Sequence, residues 1–111
     1  MSDILLSALR AHEMLHAGAS TNIANMNTRN YKSIRTTLTE GPHGGVEATT
    51  TRDTTEGIPT EDGQCTSNVE LPREICDMIR AQRGFEAVLQ AISSREEMLT
   101  NLMNVLAGDD E

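Results

Sequence analysis

Aromatic side chains are almost missing: Tyr31 and Phe85 stand alone, with no Trp. A core without large rings is built from Leu, Ile, Val, Met and Ala, which suits helices meeting along a seam better than a thick globular centre. No apolar run approaches the roughly 20 residues that cross a bilayer, so no membrane insertion is expected. Cations are scarce, 9 Lys and Arg against 17 Asp and Glu, giving a formal net charge of −8. Nucleic acid and anionic membranes both demand a positive surface and are excluded as main partners. The two cysteines, Cys65 and Cys76, lack CxxC spacing and read as free thiols rather than a disulfide framework. There is no GxSxG, P-loop or dinucleotide fingerprint. Met1 to Leu6 has neither the basic n-region nor the long h-region of a secretory signal, so any export is expected to use another route. At 111 residues the chain suits one domain with a modest core.

Within that frame three regions separate: 1–32, 33–67 and 68–111. In the first, about Asp3 to Asn25, Leu5, Ala8, Leu15, Ala19, Ile23 and Met26 recur at spacings that place them on one helical face. Gly18 costs about 1 kcal/mol relative to Ala in a helix interior, so this helix needs a partner. Asn22, Asn25, Asn27 and Asn30 compete with helical hydrogen bonds and predict its end. In the second region, Ser33–Thr39 and Val46–Arg52 are rich in β-branched residues. They flank the turn Gly41-Pro42-His43-Gly44-Gly45, which predicts a hairpin. Such a hairpin is marginal alone and should lean on a helix or a neighbour. Asp53 to Gln64, polar and Gly-containing, reads as a mobile loop.

The third region predicts a helix from Pro72 to Ala107, about 50 Å long against about 35 Å for the first. Pro72 suits a first turn, Asn68 is a nearby cap candidate, and Gly108 is a stop. Ile75, Met78, Gln82, Phe85, Leu89, Ile92, Glu96, Leu99, Met103 and Leu106 alternate at threes and fours, the heptad a/d rule, broken only by Gln82 and Glu96. So long a seam exceeds what the chain itself can cover, and partner helices from other subunits are expected. Asp109, Asp110 and Glu111 read as a solvated tail. Arg80 and Arg83 are expected to face solvent or a neighbour's acidic surface.

One enzyme-like motif stands out. His12-Glu13-Met14-Leu15-His16 matches HExxH, in which two His one turn apart hold zinc and the Glu activates water. The context is poor: position 22 is Asn22, not a third His, and His43 lies in a Gly-rich turn. The motif reads as a coincidence on a helix surface, with adventitious metal binding by the His12/His16 pair as the lesser alternative. No catalytic, cofactor or metal site is assigned.

Two motifs carry a resemblance. Ala19-Ser20-Thr21-Asn22-Ile23-Ala24-Asn25-Met26-Asn27-Thr28-Arg29-Asn30-Tyr31-Lys32 resembles the signature closing the N-terminal helix of bacterial flagellar rod, hook and hook-associated axial proteins. Ser67-Asn68-Val69-Glu70-Leu71, with Met78-Ile79-Arg80-Ala81-Gln82-Arg83-Gly84-Phe85-Glu86-Ala87, resembles the C-terminal helix of the same proteins. By size the chain is most similar to the small proximal rod proteins, C-type subunits in particular. Asn30 stands where the family usually has Gly; Pro72 and Cys76 also depart from the pattern, and the stretch between motifs is short.

The resemblance implies a mainly α fold with long terminal helices packed as a coiled coil around a short insert. It implies a structural role in the basal-body rod, self-association with other rod and axial subunits, and delivery by the flagellar type III export apparatus. The implied motif residues are Asn22, Ile23, Ala24, Asn25, Asn27, Thr28, Tyr31, Lys32, Asn68, Val69, Gln82 and Arg83. The assembly contacts are expected at Leu5, Leu15, Ile23, Ile75, Met78, Phe85, Leu89, Ile92, Leu99, Met103 and Leu106. The rival reading is a coiled-coil adaptor or secretion-associated binding module, with a zinc hydrolase a distant third.

Overall fold

The computed structural model describes residues 2–108; the expected acidic tail at 109–111 lies outside the described residues. Four elements follow in order: α1 (Ser2–Ala24), β1 (Ile34–Glu40), β2 (Val46–Arg52) and α2 (Leu71–Ala107). The chain is thus two helices and a two-stranded antiparallel hairpin, mainly helical as expected. It is long and thin, 80 × 27 × 14 Å.

The helices pack antiparallel. Asn22, near the end of α1, bonds Glu74 at the start of α2, while His12 abuts Gly84 ten residues further on. This register brings the first turn of α1 opposite Ile92–Ser94. α2 therefore runs on past its partner by about 12 residues, roughly 18 Å. The shared core is small: Ala11, Leu15, Ala19 and Ala81 are the buried apolar residues among those described. Short side chains let the two backbones approach closely, which compensates for the missing aromatics.

The hairpin also packs along α1, beside α2, so that one Asn22 amide reaches both Ile34 and Glu74. Ile34↔Arg52, Thr36↔Thr50, Leu38↔Ala48 and Glu40↔Val46 pair across it, and Ile34, Thr36, Leu38, Val46 and Ala48 are its half-buried positions. Gly18 makes the approach possible, since a Cβ there would meet Thr36 Oγ1 at 2.7 Å. The partner that α1 was expected to need is thus supplied twice, by α2 and, at Gly18, by the hairpin. At the tip, Val46 N donates to Ser7 Oγ at 3.1 Å, fixing β2 to the start of α1. Gly44 and Gly45 turn the chain there with φ of 88° and 80°, left-handed values that favour glycine.

Two local expectations need correction. Asn68 does not cap α2. Glu70 occupies that position without a side-chain bond, followed by Pro72 in the first turn as expected. Asn68 is instead engaged upstream, as described below. The stretch 53–64 is also no free loop. Thr60 N donates to Gln64 O, Thr66 N to Ile58 O, and Asp53 N to Ser33 O, so the segment folds back on itself and extends the hairpin base. Gly108 closes α2 in the left-handed region, φ 73°, its N–H bonding Val105 O.

Candidate assembly interface

The asparagines of the N-terminal motif turn α1 into the insert, and Asn22 is the hub. Only 1% exposed, it uses both sides of its amide. Nδ2 donates to Ile34 O at 2.7 Å and Glu74 Oε1 at 3.0 Å. Oδ1 accepts from Ile34 N at 2.9 Å and Tyr31 O–H at 3.1 Å. One side chain thus joins α1, the exit turn, β1 and α2. Its partner Glu74 is buried too, in a chain where no buried side-chain polar atom among the described residues lacks a partner.

Asn25 caps the turn, donating to Thr21 O at 3.0 Å and accepting from Thr28 Oγ1 at 3.0 Å. Asn30 takes φ 60°, the left-handed conformation that an Asn in place of Gly predicts. From there it clamps the loop: its N–H bonds Cys65 O at 2.8 Å and its Oδ1 accepts from Cys65 N at 2.9 Å. Asn68 repeats the device, accepting from Ser33 N at 2.7 Å and donating to Asp53 O and Thr55 O at 3.0 and 2.6 Å. These clamps hold the segment that its composition marks as mobile.

Charges complete the loop. Arg29 pairs with Asp62. The Asp62 carboxyl is held below its ordinary range by the Thr60 hydroxyl, and that of Asp53 by Thr55, whose N–H bonds it at 3.0 Å. Partial burial, followed by the neighbouring Glu56 carboxylate, pushes the Cys65 thiol up. Both cysteines are free, Cys76 on the exposed side of α2. Lys32 offers its carbonyl to Arg52 Nη1 at 2.7 Å, and the Arg52 guanidinium lies 5.8 Å from the Tyr31 ring centroid.

On α2 the residues turned toward α1 are Glu74, Asp77, Met78, Ala81, Gly84, Phe85, Val88, Ile92 and Arg95, all buried or half-buried. That face overlaps the predicted heptad stripe along one edge only. Met78, Phe85 and Ile92 are shared. Ile75, Gln82 and Leu89 stand roughly 100° round the helix from Ala81 and are exposed. Beyond α1 the stripe has no cover: Leu99 is 47% exposed, Met103 68% and Leu106 75%. On α1, Leu15 is buried and Leu5 and Ile23 half-buried. The sequence reading missed Ala11, Glu74, Ala81 and Gly84. The small residues Ala81 and Gly84 were the available signal for close helix contact.

The HExxH stretch is occupied otherwise. The carbonyl of Ala8 can only accept, so His12 Nδ1, 2.8 Å away, carries the proton. The rest of the His12 ring packs on Gly84, where a Cβ would overlap it. His16 Nδ1 lies 3.5 Å from Ser20 Oγ. Among the described residues no group of three His, Cys, Asp or Glu could hold a metal ion. Val69 N bonds Ser67 Oγ, Gln82 reaches Glu86 at 3.4 Å, and Arg83 is exposed. Ala24 ends α1, and Asn27 lies exposed in the turn after it.

No curated protein matches the chain. Residues 66–105, the approach to α2 and nearly all of that helix, match the family model described as flagellar basal body rod FlgEFG protein C-terminal. That family is one of structural domains of the flagellar basal-body rod. Through this C-terminal segment the chain is similar to flagellar basal-body rod proteins.

Proposed function

We propose that the chain is a subunit of the proximal rod, similar to the C-type group, and polymerises through α1 and α2 into a hollow helical axial structure. The observation that carries this reading is the uncovered apolar surface of α2 inside the matched segment. Ile75, Ile79 and Leu89 are each more than two-fifths exposed on the body, and Met98, Leu99, Leu102, Met103 and Val105 on the overhang, with Leu106 just past the match. An apolar surface rimmed by polar residues marks an interaction site. The shared core is small, with four buried apolar residues among those described, which supports further contacts between subunits. In this reading the half of the heptad stripe that misses α1 forms coiled-coil contacts with helices of neighbouring subunits. Leu5, Ile23, Met78, Phe85 and Ile92 border both contacts. Delivery through the flagellar type III export apparatus completes the proposal.

Leu89→Asp tests it. Leu89 is 45% exposed, so the change leaves the chain folded but places a charge in the subunit contact. Export should continue while rod assembly and motility are lost. Normal basal bodies containing the variant would overturn the assignment of this face.

A further inference from the structure

The hairpin has two edges, and α1 pins each of them at one end. Within the ladder the odd-numbered residues bond across: Asp53 N donates to Ser33 O and Gly41 N to Gly45 O, on the same register as Ile34↔Arg52. In an antiparallel pair the alternate residues then point their N–H and C=O groups outward. On β1 these belong to Ile34, Thr36, Leu38 and Glu40. Asn22 takes both groups of Ile34. Those of Thr36, Leu38 and Glu40 bond no other described segment. On β2, Ser7 takes Val46 N.

The open edge of β1 has a second wall. Arg73, Asp77 and Arg80 of α2, with Arg35 of β1, line a groove of about 340 Å³ against Thr36, Thr37 and Leu38. No Cα of β1 lies within 8 Å of one in α2. Neighbouring strands sit about 4.8 Å apart, so α2 leaves the pairing side of β1 open. Asn22, bonding Ile34 O and Glu74 Oε1 with one amide, closes the groove at the hairpin base. The acids near it are Asp77, which bonds Arg80 at 3.0 Å, and Asp53, held by Thr55 and within the field of Arg35 and Arg73. Glu40, further along β1, does not line it. Three guanidiniums against two carboxylates leave the groove positive on a chain of net charge −8.

We infer that this groove receives an extended, acidic segment of another protein, added as a third strand on β1. An unpaired edge offers main-chain bonds to any extended chain, which gives affinity without sequence preference. The guanidiniums supply the preference. Arg73 and Arg80 stand about 10 Å apart by the helix rise. Carboxylates at alternate positions of an extended segment recur roughly every 6.7 Å on one side, within reach of that row. Their bonds to arginine are charge-assisted. Among the described residues no extended stretch carries carboxylates at alternate positions, so a second copy does not offer this occupant. The surface is also separate from Leu89 and the overhang, so the inference and the rod assignment stand or fall independently.

The test uses the full chain and a synthetic peptide as long as β1 in which Glu and Thr alternate. Binding is read by fluorescence anisotropy of the labelled peptide and by amide chemical shifts of the protein. The peptide should bind, slow the exchange of the Thr36 and Leu38 amides, and bind more weakly as salt rises. Arg73→Gln with Arg80→Gln should lower affinity at least about tenfold, and Arg73→Glu with Arg80→Glu further. Both positions are exposed, and unchanged helical circular dichroism verifies folding. The same peptide with N-methylated backbone amides, and one alternating Lys with Thr, should each bind at least about tenfold more weakly. Equal binding of the N-methylated peptide would reduce the groove to a patch of charge and overturn the inference. So would inorganic phosphate that shifts the same amides as strongly, binding indifferent to the arginine changes, or no binding at millimolar peptide. Self-association of the chain that the glutamate variant abolishes would make the occupant a second copy and overturn it likewise.

Discussion

At the scale of single residues, Asn22 decides how the parts meet. Its four hydrogen bonds go to three different segments, and each partner is at least half-buried. Asn22→Ala leaves the Ile34 N–H and C=O and the Glu74 carboxylate without that partner. Unmade buried bonds cost about 1–3 kcal/mol each, discounted where water enters. The expected loss is about 2–4 kcal/mol in denaturant unfolding, against less than about 1 kcal/mol for Asn25→Ala, whose bonds are exposed. Equal effects of the two variants would remove Asn22 from its central place. The run of asparagines was legible as the end of a helix, and Asn30 as a left-handed residue, because both follow from local backbone preference. That Asn22 faces inward was not legible, because a buried Asn and a capping Asn look alike in sequence.

At the scale of elements, the boundaries of all four were close to their sequence expectation, since periodicity, Pro72, the glycine turn and Gly108 are local signals. The face that α2 turns to α1 was not. A heptad stripe shows that a helix has an apolar side; it does not choose which neighbour takes which edge. Here His12 and Gly84 make the choice, with a ring on α1 filling the notch left by a missing side chain on α2. This yields a sign change. Gly84→Ala removes a helix-interior glycine and should stabilise by about 1 kcal/mol on propensity alone. With His12 present, the new methyl meets the ring and the net effect is destabilising. In a His12→Ala background the same change should stabilise. A double-mutant cycle by thermal unfolding should give a coupling of about 1–2 kcal/mol. Additive effects would show that the notch plays no part in the register.

At the scale of the whole molecule, the unequal helices matter most. α2 has 37 residues and α1 23, so one end of α2 is a lone helix with an uncovered apolar stripe. Isolated helical stretches are marginal in water, and most helix stability comes from packing of the apolar face. Amide hydrogen exchange on the unassembled chain should therefore be fast from Glu96 to Ala107 and markedly slower from Glu74 to Ile92. The proposed assembly should protect the overhang. Uniform protection along α2 in the free chain would mean that the overhang needs no partner.

What the sequence by itself determined is therefore local and compositional: two helices and a hairpin, an asparagine-marked exit, an apolar stripe too long for one chain, and a resemblance to rod proteins. These follow from backbone preferences and periodicity, which act over a few residues. Only the tertiary structure decided that α1 packs against both the hairpin and α2, that asparagines tie down the polar loop, and which half of the stripe stays open. Those outcomes depend on close approach at Gly18, Ala81 and Gly84 and on bonds spanning up to 52 residues of sequence. No local pattern specifies them.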